Sequence, residues 1–221
     1  MLSRIFDSLG LAGTLVIALF LAAMIAIIIL SRRQGLAERT EFREFAETRG
    51  WRFSTEKTDQ VEKVLSELDP GRLWTVLHFA TVQESPEPGW LFAYYSNPKR
   101  GDDTERGIGC MVETAGRRAT EMISIHPRVP VLEKLVLNQV AVGGAAFQKA
   151  FIVQCRQPQI VPSFVTSRLE QVLMDHIATA GWHMLTRISQ SRVLVSTTWA
   201  RNSEQWEYLV RKAREVRDAI W

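Results

Sequence analysis

Apolar residues run from Leu9 to Leu30 without a single charge, and at Ser31 the pattern breaks into the paired arginines Arg32 and Arg33. At about 1.5 Å per residue such a helix spans roughly 33 Å, enough for a hydrocarbon core of about 30 Å. A cleaved leader would have a shorter apolar region, of about 7–15 residues, followed by small residues at a cleavage site. Here the run ends in IIILSRR and offers no such site, so it reads as a retained transmembrane helix. Gly10, Thr14, Ala18, Ala22 and Ala26 recur every four residues within it, among bulky Leu, Ile, Val and Phe. Small residues at that spacing form a strip that a second helix backbone can approach closely.

Beyond the arginines the period changes. Leu36, Phe42, Phe45 and Ala46 fall near helical spacing among alternating charges, and Gly50 is placed as a left-handed C-cap. The anchor is therefore expected to continue into, or bend towards, an amphipathic helix at the membrane surface. WRFS predicts a short strand and TDQVEKVLSEL a helix with Val61, Val64, Leu65 and Leu68 on one face, with DPGR as the turn after it. LWTVLHFATVQE and WLFAYYS predict an antiparallel pair joined through SPEPG. NPKRGDDTERG predicts a surface loop, and IGCMVET and ATEMISIH flank AGRR as an expected hairpin. In the last third FQKAFIVQC is expected as a strand, and PSFVTSRLEQVLMDHIATAG as one helix stopped by Gly181. WHMLTRIS and SRVLVSTT are expected as strands. A closing helix, capped at Asn202 or Ser203, carries the stripe Trp206, Leu209, Val210, Ala213, Val216 and Ile220. FAETRGWRFST and HIATAGWHMLT share helix, Thr-x-Gly-Trp and strand; the repeat fits either two similar halves or the same cap used twice.

Charge and chemistry alter this picture little. The 27 Lys and Arg nearly balance 24 Asp and Glu, so net charge gives no reason to expect nucleic acid. Arg32, Arg33, Arg39 and Arg43 follow the apolar run while Arg4 alone precedes it, which places the N-terminus outside and the domain in the cytoplasm. The same four arginines suit anionic lipid headgroups. Cys110 and Cys155 form no CxxC pair, and His78, His126, His176 and His183 lie scattered without HExxH. GIG at Gly107–Gly109 leads into a strand rather than a helix, and Gly143–Gly144 has no GK[ST] after it. No GxSxG elbow occurs, and Asp102–Asp103 sit in a polar loop. These spacings give no catalytic residue, no metal ligand set, no cofactor and no evident small-molecule substrate. Most tryptophans fall in or beside strands, whereas Trp206 and the final Trp221 share a broad face of the last helix and are candidates for contact with a partner.

With Phe147, Phe151 and Val153 spaced as Phe-x-x-x-Phe-x-Val, followed by SFVTSRLEQVLMDHI and SRVLVSTT, the C-terminal third resembles a loose class of uncharacterised bacterial proteins. That class has one N-terminal membrane helix and a cytoplasmic α+β domain. Gln148 stands where the class has an acidic residue. The resemblance implies an architecture and no activity. In architecture alone, without a sequence match, the chain is also similar to the H subunit of photosynthetic reaction centres.

The expectation is an α+β protein: one N-terminal transmembrane helix, then a cytoplasmic antiparallel sheet packed with about four helices. Its parts are the flank and anchor (1–33), a juxtamembrane helix and linker strand (34–56) and the domain (57–221). It should be a single-pass protein of the bacterial inner membrane. Its expected role is that of a non-catalytic structural or assembly subunit, packed by its helix into an integral membrane complex of respiratory or photosynthetic type and covering the cytoplasmic face. A membrane-tethered enzyme or ligand-binding sensor is the alternative.

Overall fold

A computed structural model describes residues 2–56, 58–82, 89–98, 104–114, 119–129, 137–198 and 200–220. Helix α1 runs unbroken from Leu2 to Thr48. The chain divides within it, after Phe42, into two compact units, Met1–Phe42 and Arg43–Trp221. Of the expected juxtamembrane segment 34–56, Phe45, Ala46 and Trp51 are buried in the second unit.

The end of α1 explains how the helix stops. Gly50 takes φ 70°, its N–H donates to the Glu47 carbonyl, and Trp51 N–H donates to the Ala46 carbonyl at 2.9 Å. This is a Schellman cap, and the Trp51 ring closes it by meeting Phe45 edge-on at 5.6 Å. At the second Gly-Trp, Gly181 likewise takes a left-handed conformation, φ 66°, and Trp182 meets His176 edge-on at 4.8 Å.

The second unit is α+β, built on a nine-stranded sheet in which every pair is antiparallel. The strands are β1 (Arg52–Ser54), β2 (Arg72–Val82), β3 (Gly89–Pro98), β4 (Glu105–Glu113) and β5 (Ala119–Pro127). They continue as β6 (Gln139–Val140), β7 (Phe151–Gln154), β8 (Leu185–Gln190) and β9 (Arg192–Thr197). Their order is β1-β2-β3-β4-β9-β8-β5-β7-β6. The expected β4–β5 hairpin is therefore wrong: the tight β8–β9 hairpin inserts between the two strands. Both are buried along most of their length and each needs two neighbours, which the distant hairpin supplies.

Helices cover both faces. Helix α2 (Thr58–Leu68) lays Val61, Val64, Leu65 and Leu68 on Trp74, Phe92, Tyr94, Met111 and Leu194. Side chains alternate along a strand, so Leu91, Ala93 and Cys110 point to the opposite face, where α6 (Ser203–Ala219) packs on β4 and β9. The Asn202 side chain accepts from Gln205 N–H at 3.0 Å as the cap of α6, and the predicted stripe from Trp206 to Ile220 is buried.

Two expected elements differ. Residues Ala145–Ala150 form α3, so only the second half of the expected strand is extended; Phe147 and Phe151 stack across the junction at 4.9 Å. The long helix is split into α4 (Val161–Phe164) and α5 (Ser167–Ala180). Thr166 makes the break: its Oγ1 accepts from Leu169 N–H at 3.1 Å as a fresh N-cap and donates to the Ala219 carbonyl at 2.6 Å. Residues 85–88 of SPEPG and the whole of AGRR lie outside the described residues.

Candidate functional site

The apolar run is the most distinctive surface of the first unit. Its large side chains are exposed, from Leu15 at 55% through Phe20 at 66% to Leu30 at 58%. The helix is long and apolar enough to cross a membrane. Ala18, Ala22 and Ala26 lie open on it, while the side-chain positions of Gly10 and Thr14 are outside the described residues. Each step of four residues advances the strip by about 40° around the helix, so Ala18 to Ala26 stay within about 80°. Arg32, Arg33, Arg39 and Arg43 are exposed.

The second unit contains a cleft of about 430 Å³ between the α2–β2 turn and the ends of β5, β7 and β8. Asp69, Glu121, Gln154, Cys155, Arg156 and Ser189 line part of it. Asp69 is 7% exposed and fully engaged: Oδ1 accepts from Gly71 N–H at 3.2 Å, and Oδ2 pairs with Arg187 at 3.0 Å and Arg72 at 3.9 Å. Arg187 is 4% exposed and stacks over Trp74 at 5.6 Å, while Arg72 also binds Glu105 and donates to Ser96 at 2.8 Å. This network joins the sheet across its middle. A carboxylate whose two oxygens are engaged by two guanidinium groups and a backbone N–H fits a structural role.

The other titratable groups are muted by burial. Cys155 donates to the Gln157 carbonyl at 3.4 Å and its thiol is pushed up, chiefly by burial. Cys110 is pushed up to about 12 for the same reason, so both stay protonated thiols. His126 is lowered to about 4 by burial and then by Arg187 and Arg72. His176, 1% exposed, is lowered to about 4, chiefly by burial. Its Nε2 faces the Trp182 carbonyl at 3.0 Å and must be the protonated nitrogen, leaving Nδ1 to accept from the Tyr208 hydroxyl at 3.0 Å. His78 is buried and His183 exposed. Among the described residues no three His, Cys, Asp or Glu side chains converge on one point.

GIG has a packing role. A Cβ on Gly107 would stand 2.7 Å from the Tyr94 hydroxyl, and one on Gly109 would stand 2.6 Å from the Phe92 ring. Two aromatic rings lie directly across β4. Trp206 is corrected from a partner contact to a core residue: it is 0% exposed and meets Phe45 edge-on at 5.5 Å. Trp221 lies outside the described residues. No short spacing in the sequence announces the Asp69–Arg187 pair, because Asp69 lies in the α2–β2 turn and Arg187 on the distant strand β8.

No family model matches the chain, and no curated protein matches it. Among solved structures it is similar to the crystal structure of the mycobacterial trehalose monomycolate transport factor A, TtfA, at TM-score 0.56 and 13% identity. The match covers 82% of this chain and 93% of that one. At that identity the likeness is one of fold alone.

Proposed function

We propose that this chain is a single-pass, non-catalytic subunit of a larger integral membrane complex. Its N-terminal helix packs against membrane helices of its partners, and its domain covers the cytoplasmic face at the bacterial inner membrane. The observation that carries this reading is the contrast in exposure. Leucine, isoleucine and phenylalanine side chains lie open along the first unit and are shut inside the second. Only lipid or other apolar helices can cover such a surface. The muted thiols, the neutral buried imidazoles and the engaged Asp69 favour a scaffold over a tethered enzyme. The fold neighbour, a transport factor, is compatible with such a role. The four arginines after the apolar run support the N-out orientation.

Two measurements test this. Purification of the full chain in mild detergent, with mass spectrometry of what accompanies it, should recover integral membrane proteins in fixed ratio. Isolation of the chain alone, at full yield and stability, would count against a subunit. A cysteine at Ser3 should react with an impermeant thiol reagent in intact cells and one at Asp102 should not; the reverse pattern would overturn the orientation.

A further inference from the structure

The cleft of about 430 Å³ beside the α2–β2 turn exists because the sheet opens there. Strand β5 pairs with β8 at Ala119↔Gln190 and next at Ile123↔Ile188, so Thr120, Glu121 and Met122 stand against Ser189 alone. Its pairing with β7 begins only at Ser124, opposite Gln154. The three residues form a bulge, and all of them line the cleft. Bulges re-aim side chains and are common next to ligand sites. Thr120 Oγ1 donates to Gln157 Oε1 at 3.3 Å and ties this wall to the segment after β7. Glu121 and Arg156 line the cleft and each lies one residue from that bond, so one small molecule can touch both.

Three groups of the cleft have no partner among the described residues. The Glu121 carboxylate and the Arg156 guanidinium form no ion pair there, with each other or with another side chain. The Ser189 hydroxyl, on a residue only 7% exposed, has no hydrogen-bond partner there. Buried polar groups are ordinarily hydrogen-bonded, so this hydroxyl points to a polar ligand. The other two carboxylates of the cleft are engaged: Asp69 by Arg187 and Arg72, and Glu67 by Arg192 at 3.8 Å.

We infer that this cleft binds a zwitterion of the α-amino-acid class, free or as a short peptide. A guanidinium fork matches a carboxylate, and the Glu121 carboxylate accepts from a protonated amine. Leu68 and Met122 give the body of the ligand an apolar wall. A purely anionic ligand would meet the charge of Glu121, and a purely cationic one that of Arg156. The volume lies at the small end of the range for ligand sites, about 300–1,000 Å³. The inference does not depend on what α1 packs against, so its failure would leave the subunit reading standing.

The test uses the full chain in phosphatidylcholine nanodiscs at neutral pH, titrated by calorimetry with L-leucine and with leucyl-leucine. Saturable binding is expected; a response to leucine assigns a free amino acid, and one to the dipeptide alone assigns a peptide. The amide of the bound probe keeps the ammonium and loses the carboxylate, and its N-acetyl form does the reverse. Each should bind more weakly than the probe itself, by about tenfold or more. Glu121→Gln and Arg156→Gln should each weaken the probe to a similar degree, and the exposed control Arg201→Gln should not. If the two charges are only solvated side chains, neither probe gives saturable heat, and that result overturns the inference. Equal binding by the native chain and both folded variants overturns it too. Circular dichroism melts of each variant separate loss of the site from loss of the fold, and the amide and acetyl forms read the same charges on the native chain.

Discussion

The two units of this protein use the same apolar residue types in opposite ways. In Met1–Phe42 the isoleucines and leucines of the long run stand open, Ile25 at 57% and Ile29 at 48%, for example. In Arg43–Trp221 their counterparts Ile123, Ile125, Leu91 and Leu194 are at 0%. A soluble domain hides such side chains by folding over them, whereas a single helix has nothing of its own to fold over. The difference assigns two solvents: the second unit is organised against water, and the first against hydrocarbon or other helices.

Breaking the first side of this contrast should have the largest effect. Ile25→Arg with Ile28→Arg puts two charges at the middle of the run, costing about 2.5–3.5 kcal/mol each on insertion scales. Fractionation should find the doubly substituted chain lost from membranes, while unfolding of its domain, followed by tryptophan fluorescence, stays unchanged. Breaking the other side reverses the pattern. Trp206→Ala empties a fully buried site between α6 and Phe45 and should destabilise the domain by about 3–5 kcal/mol, with membrane retention intact.

Acid sharpens the comparison. His176 sits near 4 in the fold against 6.5 for an ordinary imidazole, and His126 is lowered in the same way. Between those values the unfolded chain binds more protons than the folded one, so stability rises with pH. The contribution is complete above about pH 6.5 and is lost on going down towards pH 4, with a slope of at most about 1.4 kcal/mol per unit for each histidine. Urea midpoints from pH 7.5 to 4.5 should fall accordingly, and His176→Gln should flatten the curve. The apolar run carries no titratable group, so retention in membranes should not move over that range. The smallest effect is expected from Gly181→Ala, which forces φ 66° on a residue with a Cβ and should cost about 1–2 kcal/mol.

What could be read from the sequence was whatever is encoded within a turn or two of the chain. The uncharged run, the caps at Gly50 and Gly181, the Asn202 cap and the buried face of α6 all depend on neighbours close in sequence. The misreadings share one cause, a distant partner. The turn-like AGRR suggests a hairpin, yet β4 pairs with β9 and β5 with β8, strands much further along the chain. Thr166 breaks a helix-like run because its hydroxyl has Ala219, on α6, to donate to. Phe147 looks like a strand residue, and its stacking on Phe151 leaves the preceding turn helical. The cleft has no local signature: Asp69 meets Arg187 only once the sheet and its helices are assembled.

The central claim is that the N-terminal helix does more than hold the chain in a membrane. Replacing residues 9–30 with an unrelated polyleucine span keeps the hydrophobic length and removes the Ala18–Ala22–Ala26 strip. The decisive measurement is quantitative mass spectrometry of proteins co-purifying with the native and the polyleucine chains, both from membranes in mild detergent. Equal membrane retention and loss of the co-purifying membrane proteins from the polyleucine chain are expected. The same partners, recovered at the same ratio with both chains, would contradict it.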